Sequence, residues 1–352
     1  NFDHELKITG ERLYGEAGIA LPMRWAAGFL TPTFKYKQLN YNLDKSLGLN
    51  IDSNPSEGAT IFSLDGGLYF ERSGSTSGRQ YSQTLEPRIF YLYSGGKNQN
   101  TLPVFDTSEL TFTYNQLFRE SRFSGHDRID STNQLALGLT TRYIDNKSGR
   151  EVLSASIGQI FYFEDREIRL NPITNVLNNS TSAIAAELNY QPSAKLRIAS
   201  SLLWNTQDSK VDDGNLQISF EAANRSIYNL SYNFDRGNLF GINRKDIEQL
   251  DVSGYFPLAK HWNLFFRARY GIKTKEIIED AIGFKYEDCC WSIRIMHART
   301  IDPLDNQFVI DVNTDRDHAT YVEFQLKGLG AIGNRIGNML EEIIWGYKEN
   351  EY

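Results

Sequence analysis

Hydrophobic and polar residues alternate with a period of two along several segments of the chain. Between Gln134 and Tyr143, one set of alternate positions is mostly apolar or aromatic, and the other set is mostly polar. The first set is Leu135, Leu137, Leu139 and Tyr143, and the second includes Gln134, Thr140 and Arg142. Because successive side chains of a strand point to opposite faces, this pattern predicts a β-strand with one apolar face. The same alternation returns at 216–222, 228–234, 264–273 and 322–327.

The chemistry of the two faces indicates which kind of sheet these strands form. The polar face carries Arg, Lys or Glu in one segment after another, and the apolar face ends in Tyr, Trp or Phe. A soluble β-sandwich also alternates, but a transmembrane barrel adds a wet lumen and aromatic girdles. The predicted strands are about 10 to 14 residues long, enough for a tilted membrane span. The pattern predicts an all-β, antiparallel transmembrane barrel, with Leu216, Ile218 and Phe220 facing outward and water inside.

Turns between the predicted strands fall into two groups, as expected for the two rims of a barrel. Short turns assigned to the periplasmic rim lie at 145–149, 191–194, 224–226, 257–260 and 287–290. Turns assigned to the outer rim lie at 163–182, 207–214, 235–246 and 300–318, with a tight exception near Thr274. Earlier strands are predicted at 11–20, 24–41, 60–72 and 79–93, and 95–133 is an insertion with room for a hairpin.

The predicted strands number roughly fifteen, and the first begins on the outer rim, whereas a bacterial single-chain barrel has an even number. We therefore expect this chain to be the carboxyl-terminal part of a larger barrel. Asn1 is not followed by a charged, apolar and small-residue leader, which predicts either a removed signal peptide or an internal fragment.

Composition narrows the alternatives further. The mean hydropathy is −0.45, and no run of 18 apolar residues occurs, which excludes a membrane-spanning helix. The net charge is −7, with acidic and basic residues interspersed. Since no basic stripe is present to neutralise phosphates, nucleic acid is not an expected partner.

Two adjacent cysteines, Cys289 and Cys290, lie at a predicted periplasmic turn. They could be two small residues at the start of a strand, or form a strained bond with each other. A metal site would need two further ligands, and no Cys or His lies at ligand spacing, so no metal or other cofactor is predicted. Free thiols are unusual in an oxidising compartment.

The segment FSGHD at 123–127 contains the residue types of a nucleophile, a base and an orienting acid in Ser124, His126 and Asp127. A barrel phospholipase or protease is the enzyme alternative. Residues so close in sequence rarely converge on one centre, so we predict that the protein has no catalytic residues and is not an enzyme.

Three stretches resemble one known family. The first is LEPRIFYLY at 85–93, followed by VFDT at 104–107 and YNQLFRESRFSGHDRI at 114–129. The second is NQLALGLTTRYIDNKSGREVLSASIGQIFYFED at 133–165. The third is YEDCCW at 286–291 together with EFQLKGLGAIGN at 323–334. Through them the chain resembles the carboxyl-terminal barrel of the LptD (OstA/Imp) family of lipopolysaccharide-assembly proteins.

This resemblance implies a function and a set of partners. Members of the family insert lipopolysaccharide into the outer leaflet of the Gram-negative outer membrane, through a lumen and a lateral gate. The implied partners are lipopolysaccharide, the lipoprotein plug LptE, the periplasmic bridge protein LptA through an absent amino-terminal jellyroll domain, and the barrel-assembly machinery during folding. The alternative is a porin or plugged receptor for small hydrophilic solutes, and no repeat or low-complexity loop supports a purely structural barrel or adhesin.

The resemblance also assigns roles to residues. Cys289 and Cys290 would each bond a cysteine of the missing amino-terminal region. The last strand would form one side of the lateral gate, with the residues Thr320, Tyr321, Val322, Glu323, Phe324, Gln325, Leu326 and Lys327. The barrel would occupy residues 1–328 and a periplasmic tail 329–352, in which Ile336, Met339, Leu340 and Ile343 are spaced as in an amphipathic helix.

Overall fold

The computed structural model shows strands along most of the chain and a short helix near its end. It describes residues 8–44, 52–76, 78–97, 99–171, 176–236, 238–239, 242–243, 246–301, 316–327, 330–333 and 336–349. Within these ranges, no helix is long and apolar enough to cross a membrane. The first of two compact units is Asn1–Arg150, Ser154–Glu187 and Leu203–Lys210, and the second is Glu151–Leu153, Leu188–Leu202 and Val211–Tyr352.

The strands follow one another along the chain with short connections and one long insertion. The first nine are β1 (Gly10–Ala20), β2 (Met23–Trp25), β3 (Gly28–Leu43), β4 (Ser56–Leu68), β5 (Phe70–Thr76), β6 (Arg79–Gly95), β7 (Ser131–Asp145), β8 (Glu151–Tyr162) and β9 (Ile184–Tyr190). The next are β10 (Leu196–Asn205), β11 (Lys210–Glu221), β12 (Ile227–Asp235), β13 (Asn238–Leu239), β14 (Ile242–Asn243), β15 (Ile247–Pro257) and β16 (Trp262–Gly271). The last are β17 (Glu276–Glu287), β18 (Trp291–Ile301), β19 (Arg316–Leu326), β20 (Gly330–Gly333) and the helix α1 (Ile336–Ile343).

The number of long strands agrees with the sequence prediction. In the described part of the chain, sixteen strands have seven or more residues. Of these, β4 and β5 follow one another along the same partner β6, with a break at Tyr69, and so form one interrupted strand. The prediction of about fifteen long antiparallel strands, and of an all-β fold of the outer-membrane barrel class, is confirmed.

In the first unit, β1, β3, β4, β6 and β7 form a continuous antiparallel ladder. One predicted boundary is wrong. Both β1 and β2 lie along β3, and the chain reverses at Ala26 and Ala27 rather than between 20 and 24. Pro22 lacks an amide hydrogen, so it interrupts the ladder without turning the chain.

The two faces of the first unit differ as the alternation predicts. On β7, Leu137 and Leu139 are exposed, while Gln134, Ala136 and Thr140 are buried. Other exposed outward side chains include Phe34, Tyr36, Phe62, Ile89 and Ile157. This unit therefore has one continuous apolar surface suited to lipid.

The insertion at 96–130 packs against the inner face of this unit. Its Leu117, which is fully buried, and Tyr114 join a core with strand residues that include Ile61, Leu92 and Ile160. A second core joins the insertion residues Leu102 and Ile129 to Leu39, Tyr41, Leu43 and Ala59. The expected water-filled interior is wrong for this part of the sheet, because the insertion covers it.

Two glycines permit the close approach of the insertion. The insertion contains a 3₁₀ turn at Tyr114–Phe118 and an isolated bridge between Glu109 and Phe123, rather than a regular hairpin. A Cβ atom on Gly158 would lie 2.5 Å from Leu117 Cδ1, and one on Gly138 would lie 2.5 Å from Phe118 Cζ. Since real Cβ atoms do not approach so closely, a larger residue at either position would force Leu117 or Phe118 to shift.

A buried carboxylate fixes the other end of the insertion. Asp127 has no exposed surface. Its Oδ2 accepts hydrogen bonds from the backbone N–H groups of three consecutive residues, at 2.8, 2.9 and 3.2 Å, namely Phe105, Asp106 and Thr107. Its Oδ1 accepts from Arg12 Nη1 at 2.5 Å and from the Tyr41 hydroxyl at 2.9 Å. Burial alone would raise the pKa of Asp127, but these donors hold it below its usual range, so the carboxylate stays charged.

In the second unit, β11, β12 and β15 to β19 form a second antiparallel ladder, and β20 adds to β19. The predicted outer-rim loop at 207–214 is wrong, because β11 already begins at Lys210 after a tight turn. The polar residues at 210–214 were interpreted as a loop. Polar residues also occupy the inner face and the ends of barrel strands, so they do not exclude a strand there. The outer loop predicted at 300–318 lies mostly outside the described residues.

The outward face of the second unit is apolar, as predicted. Leu216, Phe220, Tyr228 and Leu230 are exposed. An aromatic row crosses β16 to β19 near the predicted periplasmic rim, with ring centroids 5.0 to 6.0 Å apart, formed by Trp262, Tyr286, Trp291 and Phe324. Such a row is typical of the girdle at a membrane surface.

The helical spacing in the tail is confirmed by α1. Ile336, Leu340 and Ile344 recur every four residues and are fully buried. Together with Tyr347 they pack against inner-face residues of four strands, namely Ile227, Phe265, Ala281 and Met296. The inner face of the second unit is thus covered locally by the end of the chain.

Candidate functional site

The predicted gate residues lie on β19 and immediately after it. Seven of them, Thr320 to Leu326, belong to β19, and Lys327 follows in the turn. The strand has two chemically different faces. Val322, Phe324 and Leu326 are exposed on the outward side, and register places them opposite Ile295, Ile293 and Trp291.

The inner side of β19 belongs to a buried network of charges. Glu323 Oε2 lies 2.8 Å from Arg294 Nη1, and Arg294 Nη2 also donates to Glu349 in the tail. Lys285 Nζ lies 2.8 Å from a carboxylate oxygen of Glu287 and 3.5 Å from one of Glu349. Lys327 Nζ lies 2.6 Å from the other carboxylate oxygen of Glu287. The network thus contains three cations and three carboxylates, so its formal charges balance: Arg294, Lys285 and Lys327 with Glu323, Glu349 and Glu287. Arg294 is 1% exposed, so this balance is required for its burial.

The tail binds the same network through neutral groups. The backbone N–H of Gly337 donates to Glu323 Oε2 at 3.2 Å, and the Tyr347 hydroxyl donates to Glu349 Oε2 at 2.6 Å. Burial, together with the adjacent Glu349 carboxylate, raises the pKa of Tyr347, so its phenol keeps its proton and remains a donor. The tail is therefore held to β18 and β19 by ionic and neutral hydrogen bonds.

Only part of β19 pairs with β20. The register with β20 covers Glu323 to Leu326, whereas the register with β18 covers the whole strand from Arg316. Within the described residues of the second unit, the Arg316–Val322 half of β19 thus has β18 as its only strand partner. An edge of this kind offers backbone groups to a further strand.

The two cysteines lie where the sequence predicts them, in the turn between β17 and β18. Both are exposed free thiols, with the sulfur atoms 2.8 Å apart. The backbone N–H of Lys327 donates to Cys290 O at 3.0 Å, which links this turn to the end of β19. The Cys290 sulfur raises the pKa of the Cys289 thiol above its usual value. Their bonding to cysteines of an amino-terminal region stays a prediction.

The segment with Ser124, His126 and Asp127 does not form a catalytic arrangement. Ser124 Oγ lies 2.7 Å from Ser108 Oγ, and the His126 ring stacks on Tyr14 with centroids 4.1 Å apart. The Asp127 carboxylate accepts hydrogen bonds from Phe105, Asp106 and Thr107 of the insertion and from Arg12 and Tyr41, as described above. The three side chains have separate structural partners. Across the described ranges, no group of three or more acidic, His or Cys side chains could hold a metal ion.

The sequence did not identify Arg294, Lys285 or Glu349 as members of the site. Arg294 and Glu349 are 55 positions apart in the chain, and alternation shows only that Arg294 faces inward. The helical spacing of the tail was visible, but its docking place depends on packing between distant segments. An isolated inward Arg next to an inward Glu on the neighbouring strand was the available signal.

Comparisons with known proteins agree with the sequence resemblance. The family model described as LptD, LPS transport system D, matches residues 1–262. An LPS-assembly protein LptD of Pseudomonas aeruginosa (strain LESB58) is 34% identical over 98% of this chain and 41% of its own length. That of Hahella chejuensis is 33% identical over 98% of this chain and 42% of its own length. The chain spans about two fifths of these relatives.

Among solved structures, the siderophore receptor PirA of Acinetobacter baumannii aligns with 93% of this chain and 58% of its own. The sequence identity is 6% and the TM-score is 0.38. A likeness at this level adds nothing to the functional assignment.

Proposed function

Because the chain belongs to the LptD family of the LPS transport system, we propose that it forms the carboxyl-terminal part of a lipopolysaccharide translocon. The translocon acts in the outer membrane of a Gram-negative bacterium and is a transport protein rather than an enzyme. It inserts lipopolysaccharide into the outer leaflet through a lumen and a lateral gate.

The observation that carries the proposal is the construction of β19. Its outward face is apolar and its inner face is charged, which suits a boundary between lipid tails and a polar sugar portion. Among the described residues of the second unit, its Arg316–Val322 half pairs with β18 alone. A strand held firmly on one side and loosely on the other is suited to open sideways.

The cysteine turn has a supporting role in this proposal. Each of Cys289 and Cys290 bonds a cysteine of the amino-terminal region, which carries the periplasmic domain that receives lipid from LptA. The hydrogen bond from Lys327 N to Cys290 O then connects that domain to the end of β19. LptE occupies the lumen, and the barrel-assembly machinery inserts the chain.

Depletion of the full-length protein tests the function directly. We expect lipopolysaccharide to disappear from the outer leaflet, measured by surface labelling, and sensitivity to large antibiotics to increase. The porin or receptor alternative predicts a loss of small-solute uptake with normal surface lipopolysaccharide. That result would reject the translocon.

The double substitution Cys289→Ser with Cys290→Ser tests the role of the turn. We expect strand content to be retained, because both side chains are exposed, and lipopolysaccharide delivery to fall. The matched control is Ser148→Ala, a small polar residue in another short turn on the same predicted rim. Normal delivery by the double variant, where the wild-type bonds have been verified, would reject this role.

A further inference from the structure

An apolar groove lies on the outward face of the first unit. Its volume is about 720 Å³, within the range of about 300 to 1,000 Å³ for small-molecule sites. The insertion packs against the opposite, inner face, so it leaves the groove open. The groove is therefore a recess in the surface that the alternation assigns to lipid. Six of its lining residues have large apolar side chains exposed on this face, namely Trp25, Leu68, Ile89, Leu137, Ile157 and Phe161.

The recess exists because one outward position has no side chain. Gly66 of β4 pairs with Leu30 of β3 and with Ile89 of β6. A Cβ atom on Gly66 would lie 3.0 Å from Leu30 Cδ1 and 3.5 Å from Ile89 Cγ2, so it would point into the space between these side chains. The groove extends from β3 through β4, β6 and β7 to β8. Neighbouring strands are about 4.8 Å apart, so the groove is about 19 Å long, an elongated apolar shape suited to a hydrocarbon chain.

An apolar path leads from the groove toward a cation. Along β6, the outward face continues from the groove to Leu85, which pairs with Phe70, and both side chains are exposed. The next pair on the same face is Arg72 with Gln83. Arg72 is exposed, and its Nε donates to Gln83 Oε1 at 2.7 Å. Among the residues that the structure describes, no carboxylate forms an ion pair with Arg72, so its charge is available to an anion.

The cation lies near the predicted periplasmic rim. Gln83 pairs with Tyr143 of β7, which is followed closely by the turn at 145–149. The Tyr143 ring packs beside Tyr81, with centroids 5.5 Å apart. Tyrosine rings are enriched where a membrane meets water. This arrangement puts Arg72 at the level of lipid headgroups and the groove deeper in the hydrocarbon layer.

The chemistry of this surface selects one class of ligand. A peptide strand cannot pair here, because the groove crosses the interior of the ladder, where β4, β6 and β7 have partners on both sides. A single exposed guanidinium forms charge-assisted hydrogen bonds with one phosphate. The groove requires a long apolar chain. A molecule with one phosphate and long acyl chains meets both conditions.

We propose that the groove holds an acyl chain of a glycerophospholipid of the periplasmic leaflet, with the phosphate of that lipid on Arg72. The chain fills the recess left by Gly66, and the lipid stays with the protein during extraction into a mild detergent. The site lies in the first unit, apart from the roles assigned to β19 and the cysteines. It therefore does not depend on the proposed transport function, and a porin with this surface would bind the same lipid.

Native mass spectrometry of the full-length protein in detergent micelles tests the proposal. The delipidated protein is titrated with a phosphatidylglycerol of defined acyl chains, or with the diacylglycerol that has the same chains but no phosphate. Gly66→Leu fills the groove and should weaken binding of both lipids about tenfold, since the loss of about two methylene contacts suffices. Arg72→Gln should weaken phosphatidylglycerol binding about threefold to fivefold and leave diacylglycerol binding unchanged.

Matched variants separate lipid binding from folding. Gly214→Leu adds the same side chain at a glycine of β11 in the second unit, where a Cβ atom has only ordinary contacts. Lys147→Gln removes an exposed cation from the turn after β7. Both are expected to bind the two lipids like the wild type. Strand content is measured by circular dichroism for every variant, and Arg72→Gln, at an exposed position, decides the question if Gly66→Leu does not fold.

Three results would overturn the phospholipid site. The first is the absence of phosphatidylglycerol binding by the wild type. The second is wild-type affinity for phosphatidylglycerol in the Arg72→Gln variant, which would remove the phosphate from this cation. The third is displacement of phosphatidylglycerol by an equimolar amount of lipopolysaccharide, which would make the transported lipid the occupant of the groove.

Discussion

The inner faces of the two units carry similar alternating strands but are covered differently. In the first unit, the insertion at 96–130 reaches deep between side chains, so that Leu117 is fully buried against strand residues. In the second unit, α1 and the residues after it pack against Ile227 of β12 and against β16 to β18. Amides and hydroxyls line a polar pocket on β11 to β15. The inner face of the first unit contains packed cores under the insertion, whereas that of the second unit combines a packed core under the tail with a polar pocket beside it.

This difference shows that period-two alternation determines which side chains point inward but not what meets them. Ile61, Leu92 and Ile160 are apolar on the inner face of the first unit because they contact the insertion. Gln217, Ser231 and Gln249 are polar at inward positions of the second unit, where they line the pocket. Apolar residues on an inner face therefore indicate that another segment packs against them, whereas polar residues there indicate a polar surrounding.

Removal of the Asp127 carboxylate should have the largest effect, because it weakens the attachment of the insertion to the inner face of the first unit. Asp127→Ala leaves three buried backbone N–H groups and the Tyr41 hydroxyl without their acceptor, and it leaves Arg12 with Asp106 as its remaining carboxylate partner. We expect a loss of about 3 to 5 kcal/mol in the free energy of unfolding. The insertion should also become open to proteases, which can be followed by mass spectrometry of the fragments.

The matched control for this change is Asp106→Ala. The Asp106 side chain is 53% exposed, although it also pairs with Arg12, so its loss should cost at most about 1 kcal/mol. Equal effects of the two substitutions would show that Asp127 does not hold the insertion in place.

In the second unit, Arg294→Met should release the tail. The substitution leaves the buried Glu323 and the partly buried Glu349 without their main cation, and we expect a loss of about 3 kcal/mol in the free energy of unfolding. Protease cleavage within 336–349 measures the release. Addition of Glu323→Gln and Glu349→Gln should restore much of the stability, because it removes the uncompensated charges. A tail that stays protected in Arg294→Met would contradict the ionic anchor.

A charged residue introduced on the outward face should lower the free energy of unfolding by a similar amount in both units, although their inner faces differ. Leu137 in the first unit and Leu216 in the second are 42% and 41% exposed, and both lie near the middle of their strands. Replacement of either by Arg should cost about 2 to 3 kcal/mol in lipid vesicles, measured by guanidinium unfolding. A cost in the first unit alone would mean that only that unit faces lipid.

Much of the sheet could be predicted because its determinants are local. The alternation at 134–143 fixes the two faces of β7, and the turn containing Cys289 and Cys290 follows from the patterns on both sides of it. The first chain reversal was predicted between 20 and 24 but lies at Ala26 and Ala27, because Pro22 interrupts a hydrogen-bond ladder without turning the chain.

The packing of the insertion and of the tail could not be predicted from local patterns. Asp127 lies 115 positions from Arg12, and its role depends on a fold that brings both to one place. The same holds for Asn229 and the Trp345 carbonyl, which are 116 positions apart. The sequence analysis weighed 123–127 as catalytic chemistry and rejected it, but it did not predict that the Asp127 carboxylate attaches the insertion.

The smallest expected effect is a dependence of the insertion on pH. Glu109 lies in the insertion with its nearest cation, Arg122, 3.8 Å away. Burial raises its pKa to about 7, and the nearby Asp130 adds to the rise while Arg122 and Arg166 oppose it. Since the folded pKa lies above the unfolded value of 4.5, folding favours the protonated carboxyl.

The stabilising contribution of Glu109 is complete below pH 4.5 and is lost as pH rises through 7. We expect protection of the insertion from proteases to fall between pH 5.5 and 8.5, equivalent to about 1 to 2 kcal/mol. Asp127 stays charged throughout this window, because its pKa is lowered, so it does not contribute. Glu109→Gln keeps a neutral side chain of similar shape and should remove the dependence. If protection instead rises with pH, or the Gln variant keeps the full slope, another group controls the packing of the insertion.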